Sequence, residues 1–543
     1  MTGDEFLAVR TEYWARTLTA IPSVTGTRDE AEFAGKLAAL LRQSPAFARP
    51  ASLVWTLDVP GGAHPRQCVL GLVRGTGART VVLTGHFDTV ETSGYGPLEP
   101  LALDPDRLGP ALVARIAGEP HEARAAQAAK DLAGGDFIAG RGLLDMKAGL
   151  AAGLAVIEKL ASGPFDGNLL FIAVPDEEGN SAGARHISQA LAGVAADHGL
   201  AIEAAINLDA TVDDGDGTEG RAVALGSVGK LLPSALVVGR AAHASDSFRG
   251  IGAAAIAGAL AAEIEWAPEL TERTGDELGA GPTLLGMKDS KTAYDVTTPA
   301  SVWMYWNVMT HRRAPAEVLG AVEAAATRSA GQLMERLAER VAASGATVSL
   351  APVGVVRYAA LLAEALRKPG AQAALDALSD ELAGSALSLP DQCRRLTEKV
   401  WELSGRSGPA IVLGFASIPY LPVELRDDAG ARRLDAAVRA AMEETAARFG
   451  ASLRTIRYFP GISDVSFFGQ AEAAHVPAIA ENTPMWRAIL AGAERFGAAG
   501  IPSINAGPWG RDYHTRLERM HAGYGFRVLP ALLLAIVGNL LSR

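Results

Sequence analysis

An α/β fold with a mostly parallel sheet, interrupted by a long inserted α+β unit, is what the sequence predicts, on three observations. The first is that short apolar runs alternate with longer Ala/Leu-rich segments of helical period. Glu30–Gln43 reads as a helix and Cys68–Val73 and Val81–Thr84 as buried strands. Met146–Ala161 then reads as a helix, Asn168–Val174 as a strand, Ala182–Leu191 as a helix and Glu203–Leu208 as a strand. The second observation is a change of texture after Val223. Val223–Val238 and Ala300–Val308 show half-polar strand alternation, whereas Gly250–Leu270 and Pro315–Ser344 are amphipathic helices. The Ala/Leu/charged stretch from Arg357 to about Ser407 enlarges this unit with a helical insertion. The third is the return of strand-like, turn-rich sequence near Arg454, including Pro502–Asn505. The expected domains are therefore one α/β domain in two pieces, 1–222 and 455–543, around an insert at 223–454.

Composition narrows the function. Asp+Glu 61 against Lys+Arg 50 leaves a net charge of −11, and no basic run is present to track a phosphate backbone, so a nucleic-acid partner is not expected. The longest strongly apolar stretch, Leu529–Leu541, is shorter than the roughly 20 residues of a spanning helix, so no membrane partner is expected. The opening residues carry acids where a secretion signal is basic. Two cysteines, Cys68 and Cys393, make neither a disulfide framework nor a cysteine zinc site. The expectation is a cytoplasmic protein.

Chemistry gathers just past the predicted strands. Val81–Thr84 runs into His86 and Asp88, Asn168–Val174 into Glu177 and Glu178, Glu203–Leu208 into Asp209, and Pro502–Asn505 into a Gly-rich loop ending at His514. In an open parallel sheet these strand ends line one crevice. Asp145, in GRGLLDMK at 140–147, adds a carboxylate, although alone it reads as a helix N-cap. Imidazoles with carboxylates suit a borderline divalent ion such as Zn²⁺. Six donors exceed one open zinc site, and two ions sharing a carboxylate would use them. Asp88 is placed to accept a hydrogen bond from the other ring nitrogen of a metal-bound His86. Of Glu177 and Glu178, adjacent side chains diverge, so one can bind metal and the other act as acid and base. The remaining histidines, His121 among them, read as ordinary polar positions. GSVGK at 226–230 lacks the spacing of a phosphate-binding loop.

Taken in order, GHFDTV at 85–90, GRGLLDMK at 140–147, PDEEGNSAGA at 175–184, NLDAT at 207–211 and DYHTRLE at 512–518 resemble the motifs of the dinuclear-zinc aminoacylase, succinyl-diaminopimelate desuccinylase and glutamate carboxypeptidase family of metallopeptidases. The resemblance implies a zinc-peptidase-like catalytic domain interrupted by a lid/dimerisation domain. It implies two Zn²⁺ per chain, with Co²⁺ or Mn²⁺ as substitutes: His86 and Asp209 on one, Glu178 and His514 on the other, and Asp145 bridging. Asp88 would orient His86. Glu177 would be the general base for a metal-bridging hydroxide that cleaves an amide bond in a small peptide or N-acyl amino acid. GRAAHASDSFRGIGAAA at 239–255 looks like the family's lid segment, which makes His243 an oxyanion donor and implies a homodimer.

The segments at 458–468, 482–486 and 504–520, with the extra length between Arg313 and Arg454, look most like the arginine-utilisation protein branch. Where the family uses an asparagine and an arginine to hold a substrate carboxylate, this chain offers Thr297 or Thr298 and a shifted Arg312. Arg249, Arg312 and Arg511 are candidates to meet a carboxylate, and Asp464 a basic group. The competing readings are a catalytically silent binding or regulatory member of the same fold and a dinuclear phosphate-ester hydrolase.

Overall fold

Strands β1 (Leu53–Val59), β2 (Arg66–Arg74), β3 (Thr76–His86), β4 (Asp166–Val174), β5 (Ala201–Asn207), β6 (Ala222–Ala224), β7 (Arg454–Ile456) and β8 (Ser503–Asn505) form one sheet in the order β1-β2-β4-β3-β5-β8-β6-β7. The coordinates are a computed structural model that describes residues 2–119, 122–348, 350–490, 496 and 498–542; His121 lies outside them. The four central strands β4, β3, β5 and β8 run parallel, with Leu83 opposite Phe171 on one side and Ile206 on the other. Their apolar runs are covered on both faces, as a parallel sheet requires. β2 pairs antiparallel with β4, and β1, which the sequence pattern does not reveal, extends that edge. Helices α1 (Gly3–Thr19), α2 (Arg28–Gln43), α3 (Ala148–Ala161), α4 (Ala182–Asp197), α5 (Ala429–Phe449) and α6 (Leu529–Leu541) belong to the same unit. Leu150, Leu154 and Ile157 of α3 and Leu533, Ile536 and Val537 of α6 share the fully buried core with Val81 and Leu83 of β3.

The chain divides into two compact units. One comprises Met1–Ser227, Val423–Ala471 and Gly497–Arg543; the other Val228–Pro422 and Glu472–Phe496. These bounds differ from the expected 223–454 insert at both ends. Val223–Val238 is not one strand: it breaks at Leu225, Val228 and Leu232, new short strands starting at Gly226, Gly229 and Pro233, and β6 stays in the first sheet. α5, whose texture resembles the helical insertion, lies in the first unit, where Leu434, Val438 and Ala441 are buried in the core that holds Leu533 and Val537.

In the second unit Ser301–Thr310 pairs with Gly229–Leu231, Pro233–Val238 and Thr283–Asp289, and Pro233–Val238 continues through Ala410–Phe415 to Gly354–Arg357. Pro315–Ser344 is a helix with the expected bounds. Tyr358–Ala365, Ala371–Ala383 and Leu389–Ser404 make up the helical insertion, and their Leu361, Leu375 and Leu396 cluster with Leu236 and Val412 of the sheet.

The apolar C-terminal segment is longer than its sequence suggests, because Tyr524–Val528 forms a wide helical turn that leads directly into α6. Tyr524–Leu541 is long and apolar enough to cross a membrane, but two-thirds of it is buried inside this unit, as befits a core helix. One buried carboxylate fixes α1 and the end of α2 on α3. The Glu158 carboxylate, nearly buried, accepts from Arg10 Nε at 2.6 Å, Trp14 Nε1 at 3.1 Å and the Ser44 hydroxyl at 2.8 Å. Replacing Glu158 by Ala leaves three donors unpaired, and chemical denaturation should show a loss of about 3 kcal/mol.

Candidate metal centre

His86 is the last residue of β3, and Asp88 follows it. β4 runs into a turn carrying Glu177 and Glu178, β5 into Asp209, and β8 into the loop that returns through Trp509–Arg511 to His514. Parallel pairing in register brings these ends to one edge. Asp145 precedes α3 but is no N-cap. Its backbone is extended, with φ −114° and ψ 96°, and its two oxygens lie 3.1 Å from His86 Nε2 and 3.0 Å from His514 Nε2. His86 Nε2 is also 3.8 Å from Asp209 Oδ1, and His514 Nε2 is 3.0 Å from Glu178 Oε1. Two groups of three donors result, His86–Asp145–Asp209 and Asp145–Glu178–His514, with the donor atoms of each within 4.8 Å of one another. Asp145 is common to both. This spacing suits ligands that converge on a cation at roughly 2.0–2.2 Å. His86, Asp145 and Asp209 are buried and Glu178 is partly so; His514, on its loop, is the exposed member.

Residues to which the motifs assign no role hold the donors. Asn207 and Asn505 end adjacent strands in register. Asn505 Oδ1 accepts from the Asp209 N–H at 3.2 Å, and its Nδ2 donates to the Asp209 carbonyl at 2.8 Å. Asn207 Nδ2 in turn donates to Asn505 Oδ1 and Ser463 Oγ, both at 2.9 Å. The only signal in the sequence is an asparagine at the end of each strand. Asp88 acts differently from the expectation. Its carbonyl, not its carboxylate, lies within bonding distance of His86 Nδ1, at 3.0 Å against 3.7 Å. The carboxylate accepts from the Glu177 and Glu178 N–H groups at 3.1 and 3.2 Å and from the Thr25 hydroxyl at 2.8 Å. A fully buried carboxylate takes the donors that a tight turn presents, so Asp88 holds both the histidine and the two glutamates.

Residues 120–482 match the model of peptidase family M20/M25/M40. The chain belongs to that family. Along its whole length this M20 chain is 29% identical to the uncharacterised protein YqjN of Bacillus subtilis, covering 100% of this chain and 97% of that protein. It is 28% identical to Protein RocB of the same organism, covering 98% and 95%. The RocB likeness agrees with the branch that the motifs indicate. Among solved structures it resembles a tripeptidase from Staphylococcus aureus (TM-score 0.51, 16% identity, 99% of each chain) and an M20 metallo-carboxypeptidase from Sulfolobus solfataricus (TM-score 0.52, 12% identity, 98% and 99%), which share its fold.

The remaining candidates of the M20 chain are placed unevenly. Glu177 is buried with Oε2 3.9 Å from His86 Nε2. Asp464 is 1% exposed, and its oxygens lack a hydrogen-bond partner of good geometry, with Ser181 the hydroxyl beside them. Arg511 is tied up structurally. Its guanidinium donates to Asp131 at 2.6 Å, to the Asp213 carbonyl at 3.3 Å and to the Gly215 carbonyl, so the structure gives it no substrate-facing role. His243, Arg249 and Arg312 belong to the other unit. His243 is exposed, its ring held by Ser245 at 2.7 Å; Arg249 pairs with Asp246 at 2.7 Å; the Arg312 N–H donates to Glu272 at 2.8 Å. Thr298 accepts from the Ala242 N–H at 3.0 Å, and Thr297 bonds Asp295, so neither hydroxyl is without a partner.

Burying so many acids distorts their titration. Burial raises Glu177, Glu178 and Asp209, and neighbouring carboxylates add to it. Burial alone would raise Asp145 too, but His514 and His86 hold it below the usual carboxylate range. Burial alone would lower His514, but Asp145 and Glu178 lift it to about 10. Further out, burial pushes Glu30, Asp464 and Glu518 each up to about 7 and lowers Lys147 to about 7. Carboxyls titrate near 4 in the unfolded chain. Between about 4 and 7 the folded state therefore binds more protons, and stability present at low pH is lost as pH rises through 7. His514 prolongs the loss towards pH 10; Lys147 opposes it above 7. A divalent ion bound by the donor groups would displace the protons of Glu178, Asp209 and His514. The metal-free protein should therefore melt at a lower temperature at pH 8 than at pH 5.5, with the rise in Tm on adding Zn²⁺ larger at pH 8. An equal rise at both would contradict this account.

Proposed function

We propose that this M20 chain is a dinuclear metal-dependent hydrolase that cleaves the amide bond of a small peptide or N-acyl amino acid, with Glu177 as general base and acid. The observation that carries the reading is the pair of three-donor groups sharing Asp145, with Glu177 buried beside one of them. His86 and Asp209 would hold one ion and Glu178 and His514 the other. The mixed imidazole and carboxylate set favours Zn²⁺, with Co²⁺ or Mn²⁺ as substitutes. When bound, the ions supply Lewis acidity, which polarises the scissile carbonyl and lowers the pKa of water. Glu177, its backbone pinned by Asp88, takes a proton from the attacking water and delivers it to the leaving amine. His243, its ring fixed through Ser245, is read as the donor to the developing oxyanion. The motifs of the arginine-utilisation branch, together with full-length likeness to RocB, support arginine- or ornithine-containing substrates. The acidic charge balance supports a role away from nucleic acid, and two free cysteines with no disulfide framework support a cytoplasmic one.

Glu177→Gln should retain two metal ions per chain and lose turnover by about 10²–10⁴-fold. Asp145→Asn should lose metal. The assay is a panel of dipeptides and N-acyl amino acids, arginine and ornithine derivatives included, after chelation and after adding back Zn²⁺, Mn²⁺ or Co²⁺. Hydrolysis of a phosphomonoester in place of every amide would overturn the reading, as would turnover insensitive to chelation.

The homodimer is proposed on the second unit. Among the described residues Thr283–Asp289 pairs on one side only, and Trp266, Leu278 and Met287 are exposed at 74%, 61% and 45%. Light scattering should give twice the chain mass, and Met287→Glu should shift it towards the single chain.

A further inference from the structure

The second donor group has an anchor that plays no part in the proposed reaction. Glu518 is 1% exposed and forms an ion pair with Arg141, itself 2% exposed. Its Oε1 accepts the Gly142 N–H at 3.0 Å, and its Oε2 the His514 N–H at 3.3 Å. Gly142 lies three residues before Asp145, so one carboxylate grips both the loop that delivers Asp145 and the loop that delivers His514, remote from each other in sequence. Both gripped residues have left-handed backbones, with φ 72° at Gly142 and 63° at His514. That conformation is uncommon for a residue with a side chain, and it persists at His514 only where the surroundings impose it. Arg141 reinforces the join by donating to the Thr515 carbonyl at 3.3 Å and lying over the Tyr95 ring at 5.2 Å. His86 and Asp209 depend on none of this, because strand ends and the Asn207–Asn505 pair hold them.

We infer that Glu518 is the positioning residue of the Asp145–Glu178–His514 group: its carboxylate, paired with Arg141, fixes the His514 loop against the loop of Asp145 and so sets the affinity of that group for a divalent ion, whereas His86–Asp145–Asp209, which does not use His514 and in which His86 Nε2 lies 3.1 Å from Asp145, keeps its own. The inference rests on the two-ion reading above. Glu518→Gln keeps the shape but cannot accept from Gly142, His514 and Arg141 together, since its amide nitrogen faces donors.

The test titrates Co²⁺ into the metal-free full chain, following the visible absorption of each bound ion and the metal content by mass spectrometry. Wild type should bind two ions. Glu518→Gln should bind the first with unchanged affinity and the second at least tenfold more weakly, with Glu518→Asp intermediate. Glu158→Gln, a buried carboxylate remote from the donors, is the control for general destabilisation and should bind both ions as wild type does. A wild type that binds fewer than two ions would refute the two-ion reading. A wild type with two ions and a Glu518→Gln protein with both affinities unchanged would refute the positioning role, as would equal weakening of both ions. Should Glu518→Gln fail to fold, Arg141→Lys, which keeps the charge but not the fork, must show the same selective weakening.

Discussion

The energetic cost of gathering carboxylates at one buried sheet edge is the constraint on which the rest of this structure depends. Asp145, Glu177, Glu178, Asp209, Asp88 and Asp464 lie together with two imidazoles, and a carboxylate removed from water is tolerated only when a cation, a proton or several donors compensate it. The structure uses all three. Asp88 is compensated by two backbone N–H groups and a hydroxyl. Asp145 is compensated by two imidazoles. Glu177, Glu178 and Asp209 have too few donors, and their titration is raised in consequence. Carboxyls held above their usual range give up protons when a divalent cation binds, so cation binding at this edge would be coupled to proton release.

A parallel sheet makes such a gathering possible at short range. Strands in register end at one level, so residues distant in sequence meet without long loops. The loops that do reach in are stiffened by charge pairs of their own. Arg519 bonds Asp131 at 2.8 Å and Asp512 at 2.6 Å, and Arg511 bonds Asp131 as well, so the approach to His514 rests on a platform of buried arginines. Close packing adds to this: a Cβ at Gly507 would come within 2.1 Å of the Asp209 carbonyl, so the loop after β8 lies directly against the loop after β5.

Most of the donor set is legible in the sequence because its members follow buried apolar runs, and runs of that kind betray their ends; Asp145, in GRGLLDMK, is the exception. His86, Glu177, Glu178, Asp209 and His514 all follow such runs, and the structure brings them together with Asp145. The supports are not legible. Asn207 and Glu518 fall inside the motifs NLDAT and DYHTRLE, but they and Asn505 act through partners hundreds of residues away, so nothing local marks what they do. The domain bounds escape for a similar reason. α5 and the helices of the insertion have the same Ala/Leu/charged texture, and only packing against α6 assigns α5 to the first unit. β1 escapes because its partly exposed side chains lack a continuous apolar run.

The fate of Arg511 bears on where specificity resides. In the sequence it stands three residues before His514, on the same loop and free of any obvious partner. In the fold its guanidinium is committed to Asp131 and to two carbonyls of the 213–215 loop. A guanidinium already bonded in this way gains little by turning to a substrate, since each new bond would cost an old one. The other two candidate arginines, Arg249 and Arg312, are both carried by the second unit and are exposed there. That unit also contains the helical insertion, whose Leu361, Leu375 and Leu396 are built into its own core. The two units thus differ in kind. One concentrates the acids and imidazoles that the proposed chemistry needs, and its candidate arginine is spent on structure; the other carries the two exposed candidates, of which Arg249 is itself paired with Asp246 at 2.7 Å, so the cost argued for Arg511 applies to it as well.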